Sequence, residues 1–186
     1  MKIFILFWYK PTIHKIMKKN LSLIVAFILS ASFCYAQKGN NQISVGVETN
    51  FFLSNGYSSI YNPGLGGNVK GLYGLGDASQ VTLTTGYTWY SGKSSSQYGN
   101  QSLGLIPILA GYRYNLKSGF YGEGQAGLAI LRTSIPGFSF SQTNFAAAIN
   151  AGYVYKGFDA SIRYYTEGDV ISLFAIRLAY NFSLGK

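Results

Sequence analysis

A two-residue alternation runs through the chain from residue 42 onward and separates charged from apolar side chains. In ISLFAIRLAYNFSL, residues 171–184, every second residue from Phe174 on is apolar, and the positions between include Arg177 and Asn181. Because successive side chains of a β-strand point to opposite faces, this segment is predicted to be a strand with one apolar and one polar face. If the apolar face points inward, the chain is a soluble β-protein; if it points outward, its surroundings must be as apolar as a protein core.

Eight segments show this alternation, and turn residues separate them at regular intervals. They span residues 42–53, 63–76, 79–91, 102–114, 119–132, 144–156, 157–166 and 171–184. Longer connections, rich in Ser, Gly, Asn and Tyr, alternate with tight ones; the longer are 54–62, 92–101 and 133–143, and the tight are 76–78, 115–118 and 156–157. In an up-and-down meander this puts the tight turns at one end. The sequence therefore predicts an all-β fold, a closed eight-stranded antiparallel up-and-down transmembrane barrel.

In the first, third, fourth, sixth and seventh segments the apolar stripe contains no charged residue, and its aromatic side chains cluster at the strand ends. Aromatic girdles at both edges of an apolar band are typical of barrels that cross a membrane. The predicted girdle residues are Phe51, Tyr87, Trp89, Tyr112, Tyr114, Tyr153, Tyr155, Phe158, Tyr164, Phe174, Tyr180 and Phe182.

The opposite stripe carries the charged residues of the strands. Turned toward lipid, each cation near the midplane would cost roughly 2–4 kcal/mol. We therefore place this stripe inside the barrel and predict a salt-bridge network, with charges solvated in an open lumen as the alternative. Glu48 is expected between Lys70 and Arg177. The predicted network residues are Glu48, Lys70, Arg113, Glu123, Asp159, Arg163 and Arg177.

The charge balance argues against a nucleic-acid partner. The net charge is +9, but five of the 15 basic residues precede residue 20, which leaves ten cations against six anions, or +4. No basic cluster remains to form the face that nucleic acid requires. Charged residues make up 11% of the chain, against roughly 25% in ordinary soluble domains.

The N-terminal region resembles a secretion signal. MKKNLSLIVAFILSASFCYAQ begins at Met17 with basic residues, continues with an apolar run and ends with small residues, which predicts a signal peptide over 17–36. Residues 1–16 are interpreted either as the result of a start codon assigned too far upstream or as an unusually long basic region at the beginning of the signal peptide. The mature domain, 37–186, then contains neither cysteine nor histidine.

Catalytic, cofactor-binding and metal-binding residues are not predicted. GLGGNVKGLYGLG, from Gly64, lacks the ending of a phosphate-binding loop, and its glycines are expected to leave room for large interior side chains such as Tyr90 or Tyr165. Glu167 and Asp169 are interpreted as a solvated hairpin tip or a weak divalent-cation contact. A hydrolytic site would need a base other than histidine.

Two segments carry a family resemblance. IPILAGYRYNL (106–116) and ISLFAIRLAYNF (171–182) resemble recurring strands of the small outer-membrane β-barrel family that includes the transmembrane domain of outer-membrane protein A. The resemblance implies the outer membrane of a Gram-negative bacterium, a monomer, and contact with lipid, lipopolysaccharide, periplasmic chaperones and the barrel-assembly machinery. The last strand would be the assembly signal, although Ser-Leu-Gly-Lys follows Phe182 where the family usually ends on an aromatic.

The preferred function is therefore that of a non-enzymatic outer-membrane protein with a plugged polar interior and a structural or surface-interaction role. Three alternatives stay open: a narrow channel for small or hydrophobic solutes, a soluble lipocalin-like ligand-binding barrel, and a lipid-modifying enzyme without histidine.

Overall fold

The computed structural model describes residues 40–93, 101–135, 137–168 and 171–184. The predicted signal peptide, residues 1–16 and Asp169 lie outside these ranges. Within them, no helix is long and apolar enough to cross a membrane. The elements are β1 (Gln42–Phe52), α1 (Asn55–Ile60), β2 (Gly64–Gly74), β3 (Ser79–Ser91), β4 (Ser102–Asn115), β5 (Phe120–Ile135), β6 (Phe138–Tyr155), β7 (Phe158–Glu167) and β8 (Ile171–Ser183).

The eight strands form a closed antiparallel barrel in chain order. Closure is made by β1 and β8, which pair from Gln42 opposite Ser183 to Phe52 opposite Leu173. The predicted fold class is confirmed. A closed sheet leaves no unpaired strand edge along its wall, so the backbone polar groups there are satisfied by neighbouring strands.

The wall separates the two stripes of each strand. On β8, Arg177 is 1% exposed, whereas its neighbour Leu178 is 60% exposed. The same division holds on β1. Glu48 is buried, whereas Val45 and Val47, which precede it in the sequence, and Phe51, which follows it, are exposed. Most charged side chains of the strands therefore lie in the interior, and the outer surface is mainly apolar. A soluble lipocalin-like barrel would require the opposite orientation.

The connection between β1 and β2 contains a helix, although the sequence predicted only a loop over 54–62. α1 is a single short helix whose one aromatic side chain, Tyr57, packs at the barrel mouth. Tyr57 stacks on Phe52 with ring centroids 5.4 Å apart, and Phe52 contacts Tyr90 inside the barrel at 4.7 Å. These contacts, more than intrinsic helix propensity, stabilise so short a helix.

The connection between β5 and β6 differs from the prediction in the same way. Residues 133–143 were expected to form a loop, but β5 and β6 stay paired up to Ile135 opposite Phe138. Gly137 has a φ of 83°, which permits the tight turn. Ile, Phe and Thr favour extended backbone, and the serines between them obscured this preference. The hairpin therefore extends beyond the rim of the barrel.

A glycine of the segment that begins at Gly64 has the predicted role of leaving space inside. A Cβ at Gly64 would overlap the ring of Tyr90 and come within 2.8 Å of Thr88 Cγ2. Tyr90 is fully buried. The glycine lets this large ring lie against the inner wall.

Pro107 is accommodated by a gap in strand pairing. On the β3 side, the register passes from Ile108 opposite Thr85 to Leu105 opposite Thr88, and no paired residues intervene. Because proline has no backbone N–H to donate, it fits a position where the ladder with one neighbour is interrupted.

Candidate functional site

The centre of the interior network is Glu123 on β5. Its carboxylate accepts hydrogen bonds from Lys70 Nζ at 2.7 Å, from Thr82 Oγ1 at 2.7 Å and from Arg113 Nη2 at 3.1 Å. Lys70 and Arg113 are each 1% exposed. Lys70 reaches Glu123 from β2, three strands away, so this ion pair crosses the lumen.

Asp159 on β7 forms a second centre at a neighbouring position. It accepts hydrogen bonds from Arg113 Nη2 at 3.4 Å, from Arg177 Nη1 at 3.3 Å and from the Tyr121 hydroxyl at 2.7 Å. Arg113 also lies over the ring of Tyr121, 3.6 Å from its centroid. Arg113 therefore joins the two carboxylates into one network.

Glu48 has different partners from those predicted. The structure pairs it with Arg163, whose Nη1 lies 3.2 Å from Glu48 Oε2, and with the amide of Asn68 at 2.9 Å. Lys70 lies opposite Ser44, which precedes Glu48 by four residues on β1. Four residues of strand span about 13 Å. The expected arrangement of Glu48 between Lys70 and Arg177 is therefore wrong, since Lys70 lies at a different depth.

Arg177 lies directly opposite Glu48 in the register but turns elsewhere. Its Nε donates to Asn68 Oδ1 at 2.7 Å, and its Nη2 donates to Ser44 Oγ at 2.8 Å. Because Asn68 also donates to Glu48, its side-chain amide is hydrogen-bonded to both charged groups and links Arg177 to Glu48. The seven residues of the predicted network thus meet in the lower and middle barrel, linked partly through uncharged side chains.

Burial of so many charges requires this degree of pairing. An uncompensated ion in a protein interior costs several kcal/mol, and removing one partner of a buried pair is destabilising for that reason. Each of the four cations Lys70, Arg113, Arg163 and Arg177 has a carboxylate within 3.4 Å. These ion pairs join side chains of different strands across the lumen.

The upper interior, at the end with the longer connections, is mainly apolar, which the sequence interpretation missed. Tyr90, Leu103, Leu131 and Leu173 are buried there, and α1 packs against this cluster. A signal was present in LGLIPIL of β4, where apolar residues occupy both stripes, a pattern that indicates burial on both faces. The interior therefore has a charged layer and an apolar layer.

Glu167 was interpreted as part of a solvated hairpin tip, and the structure corrects this. The residue ends β7 with its side chain turned inward, and it is 1% exposed. Asn144 Nδ2 donates to its carboxylate at 2.9 Å, and the Tyr165 hydroxyl lies at 3.4 Å. Its position in the strand alternation, two residues after Tyr165, was the signal for this orientation.

The predicted girdle residues lie on the outer surface. Phe174 is half-buried, and the other eleven are exposed. They form two levels, one near the tight turns and one near the longer connections; the first includes Tyr112, Tyr114, Tyr153, Tyr155, Phe158, Tyr180 and Phe182, and the second includes Phe51, Tyr87, Trp89, Tyr164 and Phe174. Between them the outward side chains are mainly Val, Leu, Ile and Ala, which forms an apolar belt around the barrel.

A metal centre is not evident in the ranges that the structure describes. No group of three or more His, Cys, Asp and Glu side chains there could hold a metal ion.

Comparison with known proteins identifies the fold. No protein-family model and no curated protein sequence matches the chain. Among solved structures, the Yersinia pestis outer membrane protein Ail in a phospholipid bilayer nanodisc is 18% identical over 78% of this chain and all of that chain, with a TM-score of 0.54. Ail in complex with the heparin analogue sucrose octasulfate is 19% identical with the same coverage and a TM-score of 0.58.

A second protein shows the same likeness. Neisserial surface protein A is 18% identical over 78% of this chain and 97% of its own, with a TM-score of 0.54. At identities this low, the structural likeness establishes the fold alone. The apolar belt and the buried charges show that the outer surface faces lipid. The chain is thus an integral outer-membrane protein built as a small eight-stranded β-barrel.

Proposed function

We propose that the protein is a non-enzymatic outer-membrane barrel that acts through its outer-end surface rather than by passing solutes. The observation that carries this proposal is the filled interior, in which a charged layer and an apolar layer lie one above the other. α1 and the residue that follows it cover the upper layer through Tyr57, Ile60 and Tyr61. An eight-stranded barrel has an interior just wide enough for side chains to fill it.

The parts of the chain available to partners lie beyond the rim. The β5–β6 hairpin extends there with Phe138 and Phe140 exposed. Ail, which shares the fold, is an attachment invasion locus protein. A role in contacts at the cell surface fits this combination of a sealed barrel and a projecting hairpin.

Targeting and assembly follow from the same proposal. Residues 17–36 would direct secretion and be removed, and periplasmic chaperones would carry the barrel to the assembly machinery. β8, which closes the barrel against β1, would supply the assembly signal through ISLFAIRLAYNF.

Planar-bilayer recordings test whether the interior is closed. We expect no stable, discrete openings from the reconstituted mature protein, because charged side chains bridge the lumen and α1 covers the outer mouth. Deletion of residues 55–60 serves as a comparison, and it should leave conductance unchanged since the charged layer lies below. Reproducible single-channel steps from the wild-type protein would instead support the narrow-channel alternative.

Lipopolysaccharide is the proposed lipid partner at the outer rim. Arg132 is exposed on the outward face of β5, in the same row of paired residues as Trp89. A cation beside the aromatic girdle can contact a lipid phosphate. We expect Arg132→Ser to weaken binding of lipopolysaccharide by the reconstituted barrel by about fivefold, as for loss of about 1 kcal/mol.

Titration calorimetry of the detergent-solubilised barrel measures this binding. Lys117→Ser, at a tight turn on the opposite end, is the matched control and should leave it unchanged. If both variants lose the same amount of affinity for lipopolysaccharide, the binding depends on the overall positive charge of the barrel and not on a specific contact with Arg132.

A further inference from the structure

The apolar belt is interrupted by a groove along β7 at the end with the tight turns. Outward side chains of neighbouring strands form rows, and one row reads Phe120, Tyr153, Ala160, Leu178 and Val47. Ala160 is the one small side chain among these five. Two depressions of about 570 and 390 Å³ meet at this gap, and both are lined by Tyr153, Ala160 and Leu178.

The groove is long enough for part of an alkyl chain. It runs along β7 from the level of Phe158 to that of Ile162, which is about 13 Å. Its larger depression falls in the size range of small-molecule sites, roughly 300–1,000 Å³. Tyr153, Leu178 and Val47 provide apolar walls, and the bottom is formed by Ala160 and the adjacent strand backbone.

A lysine lies at the mouth of the groove. Lys156 is in the two-residue turn between β6 and β7, and its Nζ is 5.3 Å from the ring centroid of Tyr155, a groove residue. Among the described residues, no carboxylate lies within salt-bridge distance of it. Its charge is therefore available to an anion at this level.

The backbone at this turn is unfavourable for lysine. Lys156 has a φ of 50° and Gly157 a φ of 90°. A two-residue turn with positive φ at both positions favours Asn-Gly, and non-glycine residues other than Asn, Asp and His are uncommon there. Lys156 is the only non-glycine residue with positive φ in the described ranges.

A tyrosine hydroxyl lies beside the same turn. The ring of Tyr180, which lines the groove, packs against Gly157, where an added Cβ would come within 2.9 Å of the ring and 3.1 Å of the hydroxyl. The mouth therefore offers an ammonium group and a phenolic hydroxyl next to an apolar groove.

We propose that this groove is a binding site for one glycerophospholipid of the leaflet at the tight-turn end. An acyl chain lies over Ala160 between Tyr153 and Leu178, and the lipid phosphate contacts Lys156 Nζ and the Tyr180 hydroxyl. The site rests on the proposed function, in which the barrel crosses the outer membrane with its tight turns toward the periplasm and its longer connections outside. An anionic head and an apolar tail match the charge at the mouth and the apolar groove in one ligand.

A second copy of the chain fits less well. Two barrels in one membrane that meet through the same face are related by a two-fold axis along the membrane normal. That axis would bring both Lys156 side chains to one level without an anion between them. Charge complementarity therefore favours the lipid.

Native mass spectrometry of the mature barrel, released from micelles that contain limiting phosphatidylglycerol, tests the site. We expect one retained lipid on the wild-type protein and about fivefold less on Lys156→Asn. Asparagine suits the turn better than lysine, so unfolding would not explain the loss. Ala160→Phe, which fills the groove, should reduce retention similarly, and diacylglycerol, which lacks phosphate, should be retained poorly by all forms.

Lys117→Asn and Ala126→Phe are the matched controls, since Lys117 lies in another tight turn and Ala126 faces outward on β5 away from the groove. They should retain the lipid as the wild type does. Equal retention by all variants would overturn the proposal, as would loss of a dimer rather than a lipid on Ala160→Phe. Failure of the wild-type barrel to insert into vesicles would refute the membrane placement instead, independently of this site.

Discussion

Replacement of Glu123 with leucine is expected to lower the free energy of unfolding by about 3–5 kcal/mol, the usual result of breaking a buried ion pair from one side. The change leaves Lys70 without its carboxylate, and within the described residues Lys70 has no other carboxylate in salt-bridge range. It also removes one of the two carboxylates beside Arg113. Urea titration of the barrel folded into vesicles measures the loss.

Two further variants separate charge from packing. Thr82→Val removes one hydrogen bond to Glu123 and should cost only about 1 kcal/mol. The double variant Glu123→Leu with Lys70→Met removes both charges and should recover much of the single variant's loss. If Glu123→Leu unfolds at the wild-type urea concentration, water in the lumen rather than Glu123 stabilises these cations.

Glu48→Leu should also destabilise the barrel, but less than Glu123→Leu. Glu48 faces a single cation, Arg163, and otherwise accepts hydrogen bonds from amide and hydroxyl groups such as Asn68. Arg163 retains the side-chain Oδ1 of Asn150 as an acceptor for its Nε at 2.7 Å. The same urea titration ranks the two carboxylates, and the opposite order would show that the network centres on Glu48.

The barrel could be predicted from sequence because its physical requirement is local. A strand that faces lipid on one side and a filled lumen on the other must alternate at every second residue, as Arg177 and Leu178 do. The closing pair of β1 and β8 then follows from an even number of strands with both ends on the same side. No long-range information was needed for either inference.

The partners inside the barrel could not be predicted in this way. The alternation gives the side on which Glu48, Lys70 and Arg177 lie, but not their depth, which depends on the register of each strand pair. Long side chains also cross a narrow lumen, so Lys70 meets a carboxylate three strands away. Neighbouring strands were therefore a poor guide to ion pairs.

The outer end was misread for a related reason. Above the rim the environment changes from lipid to water, so the residues of the β5–β6 hairpin no longer follow the apolar-outside pattern. Arg132 and Ser134 face outward there, while Ile135 and Phe138 belong to the inward set. The alternation of apolar outward and polar inward residues therefore identifies strands only within the membrane, and it does not reveal the part of a strand that extends beyond it.

Leu178→Arg is expected to destabilise the barrel in vesicles by about 2–4 kcal/mol, because it puts a cation against the acyl chains near the middle of the apolar belt. Phe182→Arg, on the same face of β8 near the tight-turn end, should cost roughly 0–1 kcal/mol. Equilibrium unfolding in urea, with the barrel inserted in vesicles, gives both values.

This pair of variants discriminates between environments, since the two positions are similarly exposed in the barrel itself, at 60% for Leu178 and 52% for Phe182. Leu178→Ala controls for the lost side-chain contacts. Were the outer surface in water, arginine at either exposed position would change stability by only about 0.5 kcal/mol. A large cost at Leu178 with a small one at Phe182 therefore measures a depth-dependent apolar surrounding, whereas equal small costs would contradict a lipid-facing exterior.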